Sequence, residues 1–211
     1  MNSGNATHSS DPGCWDERYS AETDWFFGRD PSELGRLTLH FWRMIRGAQG
    51  GRLLDLGCGE GRDSVYFAAN GFQVTAIDLA QAGVRKALRL AGECGVALDD
   101  LRCADVRTAP LEDGFDVVFS GNCIQALGGE CPQFLSRIQA STPVDGFNAI
   151  RVATSETDAF ADRPGLYRFA PRELLADYEG WRILYYSEDL LYVPHAGGLA
   201  SFAGVIAQKV R

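Results

Sequence analysis

The chain has 211 residues, of which 45% are hydrophobic, and it carries a formal net charge of −8 at pH 7. This length is typical of one domain that buries about 70% of the surface of its unfolded chain. The excess of acidic residues argues against DNA or RNA as the substrate, because binding phosphates requires basic patches.

The N-terminal residues have neither the basic start nor the apolar stretch of a secretory signal, so we interpret residues 1–14 as a disordered leader. No apolar run reaches the length of a membrane span, and we expect no association with a membrane. The six cysteines form no CxxC pair, which argues against zinc or another bound metal. We therefore expect a cytoplasmic protein whose cysteines are reduced and mostly buried.

Residues 15–211 are predicted to form a single domain, which opens with an aromatic-rich segment over residues 15–30. The pattern of this segment is too irregular for a core strand. One interpretation is a flap that closes over a ligand pocket, with Tyr19, Trp25 or Phe27 facing the ligand. The alternative is a segment whose rings only pack against the domain.

A βαβ unit follows the first predicted helix. Apolar periodicity predicts an amphipathic helix over residues 32–46, with Pro31 in its first turn. The pattern then predicts a strand, a glycine-rich turn, a helix and a second strand, over residues 52–56, 57–61, 62–70 and 72–77. Elements in this order form a βαβ unit of nucleotide-binding type.

The glycines and acids of this unit point to a ligand site. Glycine tolerates positive φ where a strand turns at once into a helix, and it lets a ligand lie against bare backbone. The helix beyond the turn offers free N–H groups. Asp55 lies beside the turn, and Asp78 ends the second strand, where an acid accepts hydrogen bonds from ribose hydroxyls.

The spacing of the glycines distinguishes between cofactors. A dinucleotide fingerprint, G-x-G-x-x-G, would place its third glycine at position 62, which is Arg62. Asp55 and Glu60 would repel a pyrophosphate but attract an ammonium and a sulfonium. The pattern therefore favours S-adenosylmethionine (SAM) over NAD. A glycine turn that binds no cofactor is the alternative.

Helices and strands alternate through the fifth strand, which predicts a mainly parallel sheet. The remaining helices are predicted over residues 80–94, 132–140 and 171–178, and the third strand and its turn over residues 101–106. The remaining strands are predicted over residues 115–119, 147–153, 181–186 and 202–208. Residues 155–168 are a candidate loop over the site. The last two strands are joined by a long connection over residues 188–198, which predicts an antiparallel edge hairpin.

Small polar residues follow two of the strands. Asp105 comes after the third strand, where its carboxylate is placed to bind an adenine amino group, although an ordinary turn aspartate is the alternative. Ser120 and Asn122 come at the end of the fourth strand, and ligands bind at this edge of open α/β sheets. Cys123 follows them, with a buried structural cysteine as the alternative.

Several segments resemble known methyltransferases. DLGCGEGR at residues 55–62 resembles the first motif of class I SAM-dependent methyltransferases, and WDERY at residues 15–19 resembles the N-terminal segment of small-molecule and thiol methyltransferases. The most specific resemblance is to the tellurite-resistance methyltransferases (TehB-like). It covers about residues 52–209 and depends on the segments GRDSVYFAANGFQVTAID, FDVVFSGN and FAPRELLADYEGWRILYYSED.

The resemblance implies a Rossmann-like α/β fold, with helices on both faces of a seven-stranded, mainly parallel sheet whose last strand is antiparallel. It implies SAM as the cofactor and S-adenosylhomocysteine (SAH) as the product. Together with the motifs it assigns the candidate cofactor-binding residues Tyr19, Trp25, Asp55, Gly57, Cys58, Gly59, Arg62, Asp63, Asp78, Leu79, Asp105, Val106, Ser120 and Asn122. The candidate acceptor-binding residues are Tyr19, Phe27, Cys123, Arg168 and His195.

The chain departs from the TehB-like pattern at the acceptor. That family has a His-Arg pair in the hairpin before its last strand, whereas here His195 is followed by Ala196. Because an arginine would hold an oxyanion such as tellurite, its loss favours a neutral or thiol acceptor. His195 is the candidate catalytic residue, which would orient or deprotonate the acceptor. A solvent-exposed turn histidine is the alternative.

The sequence therefore predicts SAM-dependent methyl transfer to a small molecule, with a thiol or another soft sulfur, selenium or tellurium nucleophile as the acceptor. One alternative is methylation of an oxygen or nitrogen atom of a secondary metabolite. An alternative of another class is a SAM-binding protein without catalysis. An NAD oxidoreductase is disfavoured by Arg62.

Overall fold

A seven-stranded sheet forms the centre of the computed structural model, which describes residues 12–22, 24–47, 50–161, 163, 165–193 and 198–211. Its strands are β1 (Arg52–Leu56), β2 (Gln73–Asp78), β3 (Asp100–Cys103), β4 (Val117–Gly121), β5 (Phe147–Ala153), β6 (Arg182–Val193) and β7 (Gly198–Gln208). The described helices are α1 (Pro12–Ala21), α2 (Glu33–Arg46), α3 (Arg62–Ala69), α4 (Gln81–Glu93), α5 (Cys131–Ser141) and α6 (Glu173–Asp177). Three short 3₁₀ helices cover Val106–Thr108, Leu111–Asp113 and Ile124–Glu130.

The strand order is β3-β2-β1-β4-β5-β7-β6, and strands β1 to β5 are parallel. Strand β7 is antiparallel to both of its neighbours, β5 and β6. This topology confirms the predicted mainly parallel sheet with an antiparallel last strand. The chain runs outward from β1 to β3 and then returns to place β4 on the other side of β1. The switch point between β1 and β4 is where open α/β sheets bind ligands.

Alternate residues of the central strands face two different apolar layers, because side chains of a strand point to opposite faces. Leu53, Val117 and Ala149 pack with α2 and α3 on one face. Leu54 and Val118 pack with α5 and α6 on the other face. Both faces are thus covered by helices, as a parallel sheet requires.

The N-terminal segment contains a helix that the sequence pattern did not predict. Helix α1 begins at Pro12, within the stretch interpreted as a leader, and a proline is well suited to a first helical position. The Asp16 carboxylate accepts a hydrogen bond of 2.6 Å from the backbone N–H of Ala82. Because the N-cap residue of α4, Ala80, has no capping side chain, Asp16 satisfies one of the free donors at the start of that helix.

Helix α2 begins one residue later than predicted. Ser32 is its N-cap and accepts a hydrogen bond of 3.0 Å from the backbone N–H of Gly35. Pro31 therefore precedes the cap and is not in the first turn, so that placement is wrong. A serine hydroxyl satisfies a free N–H at this position, which a proline ring cannot do.

The prediction of a long connection over residues 188–198 is wrong. Strand β6 continues to Val193 and β7 begins at Gly198, and these two residues are paired in the antiparallel ladder. Backbone pairing between the two strands thus outweighs the weak strand pattern of this segment. Residues 194–197, among them His195, lie outside the described residues.

The five cysteines whose side chains the structure describes are free thiols, but the prediction that they are mostly buried is wrong. Cys131 is buried, Cys58 and Cys123 are half-buried, and Cys94 and Cys103 are exposed. The exposed pair lies where elements end, since Cys94 caps α4 and Cys103 is the last residue of the edge strand β3.

Candidate functional site

The glycine turn after β1 adopts a backbone that other residues do not easily take. Gly57, Gly59 and Gly61 have φ angles of 78°, 54° and 85°. The backbone N–H groups of Gly57 and Cys58 both donate to the carbonyl of Ile77, at 2.8 and 3.0 Å. A Cβ at Gly57 would lie 2.3 Å from the Cβ of Cys123. The turn therefore needs glycine for its dihedral angles and for its close approach to the end of β4.

Asp78, at the end of β2, is held against this turn by the backbone. One carboxylate oxygen accepts a hydrogen bond of 2.7 Å from Gly59 N–H, and the other accepts one of 2.8 Å from Ala80 N–H. Burial raises the pKa of this carboxyl, while the backbone hydrogen bonds oppose the rise. Each oxygen keeps a further lone pair, so the carboxylate retains acceptor capacity at the edge of the sheet.

Asp55 and Glu60 both have partners within the protein. The Asp55 carboxyl is 2% exposed and accepts a hydrogen bond of 2.5 Å from the Ser64 hydroxyl. Burial raises the pKa of Asp55 to about 8, so it is mainly protonated at pH 7. Glu60 forms an ion pair of 2.8 Å with Lys86 Nζ. The sequence-based expectation that these two acids present free negative charge to a ligand therefore does not match this arrangement.

The pair of Glu60 and Lys86 fastens the N-terminal segment to the turn. Lys86 Nζ also donates to the backbone carbonyl of Asp24 at 2.5 Å. Glu60 also accepts from the backbone N–H of Phe27 at 3.2 Å, and Arg62 donates to the carbonyl of Phe27 at 3.1 Å. Sequence reasoning missed Lys86, because nothing in its local pattern relates it to a residue 26 positions earlier.

Tyr19 and Phe27, two of the predicted aromatic residues, lie beside the turn. Tyr19 is 5% exposed, and a Cβ built on Gly59 would lie 2.8 Å from its hydroxyl oxygen. The ring also borders Gly83 in α4, where a Cβ would lie 3.0 Å from it. Burial raises the pKa of the Tyr19 hydroxyl, and the charges of Asp78 and Glu60 raise it further.

Trp25 lies elsewhere, on the outer side of α3 and α4. Its ring packs beside Val65 and Leu90 and lies below the guanidinium groups of Arg29 and Arg89, at 4.6 and 4.2 Å from the ring centroid. Leu90 is near the C-terminal end of α4, whereas the N-terminal end of this helix faces the glycine turn. The structure thus does not bring Trp25 to the other candidate residues.

Asp63, next to Arg62 at the start of α3, joins the turn to α2. Asp63 is buried and accepts hydrogen bonds of 2.7 and 2.9 Å from the backbone N–H and the hydroxyl of Ser32. Its carboxylate therefore positions the N-terminus of α2. Two further candidates flank Asp78 and the turn: Cys58 is half-buried, and Leu79 is 44% exposed.

The candidates after β3 and β4 have internal contacts as well. Asp105 accepts hydrogen bonds from the backbone N–H and the guanidinium of Arg107, at 2.9 and 2.7 Å, and Val106 is buried. The buried Ser120 hydroxyl donates to the carbonyl of Leu56 at 3.1 Å and so ties the ends of β4 and β1 together. Asn122 is exposed, with a φ of 64°.

The candidates for the acceptor are only partly brought together. Cys123 packs against Gly57, and burial raises the pKa of its thiol far above its usual range, so it stays protonated. Arg168 donates to the carbonyl of Thr157 at 3.3 Å, within the loop over residues 155–168. His195 lies outside the described residues.

Arg151 was also missed by sequence reasoning. It is half-buried in β5, next to the end of β4, and the backbone N–H of Asn122 donates to its carbonyl at 2.9 Å. The signal in the sequence was a single arginine within the otherwise uncharged strand Phe147–Ala153.

Within the part of the chain that the structure describes, no helix is long and apolar enough to cross a membrane. In the same part, no group of three or more His, Cys, Asp or Glu side chains is arranged to hold a metal ion.

Comparisons with known proteins give consistent results. The model of the family described as tellurite resistance protein TehB matches residues 24–196. Hemagglutinin 1 of Eikenella corrodens is 30% identical over 164 residues, which are 75% of this chain and 54% of that protein. A protein of Haemophilus influenzae strain 10810, named a probable SAM-dependent methyltransferase TehB, is 29% identical over 140 residues, which are 66% of this chain and 49% of that protein.

The crystal structure of TehB from Haemophilus influenzae has a TM-score of 0.69 to this fold at 25% identity. The match covers 82% of this chain and 62% of that one. The chain thus spans about half the length of the two sequence relatives and less than two thirds of the TehB crystal structure.

Proposed function

This chain belongs to the TehB family, and from that membership we propose that it is a SAM-dependent methyltransferase that acts on a small molecule. The observation that carries the proposal is the glycine turn at the switch point of the sheet, with Asp78 held beside it by Gly59 and Ala80. A protein named a probable SAM-dependent methyltransferase is 29% identical to this chain over 140 residues, which are 66% of this chain.

The residues around the turn fit a nucleoside. Gly57 and Gly59 offer bare backbone, and the Asp78 oxygens have acceptor capacity for ribose hydroxyls. The exposed Leu79 follows Asp78 and offers an apolar surface for a base. Asp105, Ser120 and Asn122 stay proposed cofactor-binding residues, although the Asp105 carboxylate must share its acceptor sites with Arg107.

In methyl transfer the cofactor supplies a methyl group already activated by a sulfonium. The task of the protein is to hold the acceptor in line with that methyl group, and such positioning contributes on the order of 7–11 kcal/mol. Phe27, fastened to the turn through Glu60, and Tyr19, which lies against Gly59, are placed to exclude water from this region. Arg62 holds the same segment through the carbonyl of Phe27.

We infer a soft nucleophile as the acceptor, either a thiol or a selenium or tellurium compound. A free thiol has a pKa of about 8.5, so only modest assistance is needed to form the thiolate. The protein's own thiols at the turn do not compete, because burial raises the pKa of Cys58 and Cys123.

We assign the assistance to His195 as an orienting or basic residue. Replacing His195 with Ala is expected to lower kcat by about 10²-fold or more and to leave the Kd for SAM unchanged. His40→Ala is the matched control, because His40 is exposed on α2. Unchanged methylation of every acceptor by His195→Ala would remove this role.

The proposed function is tested with methyl-labelled SAM and a panel of acceptors that includes thiols, selenite, tellurite, phenols and amines. We expect label in the methylated thiol, selenium or tellurium product, together with one SAH per methyl group. Label in a phenol or amine instead would favour the alternative of O- or N-methylation. Binding of SAM without SAH formation from any acceptor would favour a SAM-binding protein without catalysis.

A further inference from the structure

Arg151 lies between two glycines on one face of the sheet. It is paired in register with Gly121 of β4 and with Gly204 of β7, and paired residues point to the same face. A Cβ built at Gly121 would meet only the ring of Phe119, at 3.7 Å, and one at Gly204 would meet Ser187 Oγ at 3.4 Å and the ring of Tyr185 at 3.9 Å. The positions on both sides of the arginine in the sheet thus carry no side chain.

The guanidinium is held over an aromatic ring without an ion pair. Its central carbon lies 4.9 Å from the centroid of Phe202. Among the described residues, no carboxylate lies within 4 Å of the Arg151 nitrogens, and no hydrogen bond satisfies them. Partial burial lowers the pKa of this group, because it removes part of the hydration of the cation.

The charged and titratable groups around Arg151 come from three elements. Asp189 and Tyr185 of β6 and Glu33 of α2 favour its charge, and Arg62 of α3 opposes it. Arg62 begins the helix that follows the glycine turn. The Arg151 carbonyl is bound to Asn122 at the end of β4. The cation therefore lies on the β5 side of the proposed cofactor site.

We propose that Arg151 binds an anionic oxygen group, a carboxylate or an oxyanion, of the methyl acceptor. The inference rests on the proposed function, because it places the acceptor on the β5 side of the glycine turn. A planar guanidinium donates two parallel hydrogen bonds to such a group, and the glycine positions beside it in the sheet carry no side chain. Arg151 would thus supply in β5 the positive charge that is absent beside His195, where the chain has Ala196.

The direct test is calorimetric titration of the SAH-loaded protein with two thiols of the same shape. The probe 3-mercaptopropionate carries a carboxylate, and 3-mercaptopropanamide carries a neutral amide. We expect the wild type to bind the carboxylate about 10- to 100-fold more tightly than the amide. Titration with selenite distinguishes an inorganic oxyanion site from one that requires an organic acid.

The variants separate binding from folding. Arg151→Gln is expected to abolish the preference for the carboxylate, and Arg151→Lys to keep part of it, while both retain the SAH affinity of the wild type. Arg182→Gln is the matched control, because Arg182 pairs with Gln208 at the opposite end of the sheet. Asp189→Asn is expected to strengthen carboxylate binding. Among the neighbouring charges, that of Asp189 has the largest effect on the pKa of Arg151, and an anionic ligand would no longer be repelled by it.

Equal binding of the two thiols by the wild type, or no binding of either thiol and of selenite, would overturn the proposal, and so would a preference that persists in Arg151→Gln. These results are independent of turnover. If the carboxylate preference is found but no acceptor is methylated, the proposed function fails and the anion site stands. If thiols are methylated without regard to their charge, the function stands and the anion site fails.

Discussion

Gly57 combines a left-handed backbone with a contact that excludes any side chain. Its φ is 78°, and a Cβ would lie 2.4 Å from the Cys123 sulfur. We expect Gly57→Ala to lower the free energy of unfolding by about 1–3 kcal/mol, because strain and overlap occur together. Urea unfolding measures this change.

Gly92→Ala is the control for Gly57→Ala, and it is expected to raise the free energy of unfolding. Gly92 lies within α4, and a Cβ there would meet nothing within 4 Å. Alanine favours the helix over glycine by about 0.5–1 kcal/mol, so this variant should be more stable than the wild type. A Gly57→Ala protein as stable as Gly92→Ala would show that the turn relaxes freely, contrary to this account.

Asp55 makes stability depend on pH in a defined direction. Burial raises its folded pKa to about 8, well above the value of about 3.9 in an unfolded chain. The folded state then holds a proton that the unfolded state has lost. The contribution of this group is fully present below about pH 4 and disappears as the pH rises towards 8, with a slope of at most about 1.4 kcal/mol per pH unit.

The measurement is urea unfolding of the wild type and of Asp55→Asn between pH 4 and pH 8. We expect the wild type to lose stability relative to Asp55→Asn as the pH rises. Asp63 and Asp78 also have raised pKa values from burial and act in the same direction in both proteins. Asp30→Asn, which removes an exposed carboxylate, is the control. Parallel curves for wild type and Asp55→Asn would contradict the buried, protonated carboxyl.

At the scale of elements, the N-terminal segment is held to the turn by one buried ion pair. Lys86 contacts Glu60 at 2.8 Å and the carbonyl of Asp24 at 2.5 Å. The side chains of Lys86 and Glu60 are 11% and 3% exposed. Removing one member of such a pair costs about 3–5 kcal/mol. We expect Lys86→Met to speed amide hydrogen exchange in residues 24–28 by more than tenfold.

Arg85→Met is the matched control for Lys86→Met, since Arg85 is the exposed neighbour on the same helix. It should leave exchange in residues 24–28 unchanged. Equal exchange in wild type and Lys86→Met would show that the ring contacts of Phe27 with Trp15 and Phe26 hold the segment without the ion pair.

Some helices and strands were predictable from the sequence, and others were not. The βαβ unit around residues 52–78 is specified locally, because each glycine, apolar run and terminal acid acts on its sequence neighbours. Strand β5 was predicted with its observed bounds, Phe147–Ala153, since a buried central strand is apolar almost throughout. Helix α1 depends on a contact with α4 that is distant in the chain, whereas the outer parts of β6 and β7 have weak patterns of their own and are strands because they pair with each other.

In the candidate site, too, only some of the positions and contacts were predictable from the sequence. The positions of Gly57, Gly59 and Asp78 at one edge of the sheet follow from the motif. The partners of Glu60 and Asp63 do not, because Lys86 and Ser32 approach only in the folded chain. The glycines on either side of Arg151 are set by strand register, which a single sequence does not reveal.

At the scale of the whole molecule, the account depends on the glycine turn being a SAM site. Calorimetric titration of the wild type with SAM, SAH and NADH tests this directly, alongside Asp78→Ala and the exposed control Glu179→Ala. We expect one molecule of SAM or SAH to bind per chain with a micromolar Kd, no binding of NADH, and a loss of at least about tenfold in affinity in Asp78→Ala only. Failure of the wild type to bind SAM and SAH, or binding of NADH in their place, would contradict the account.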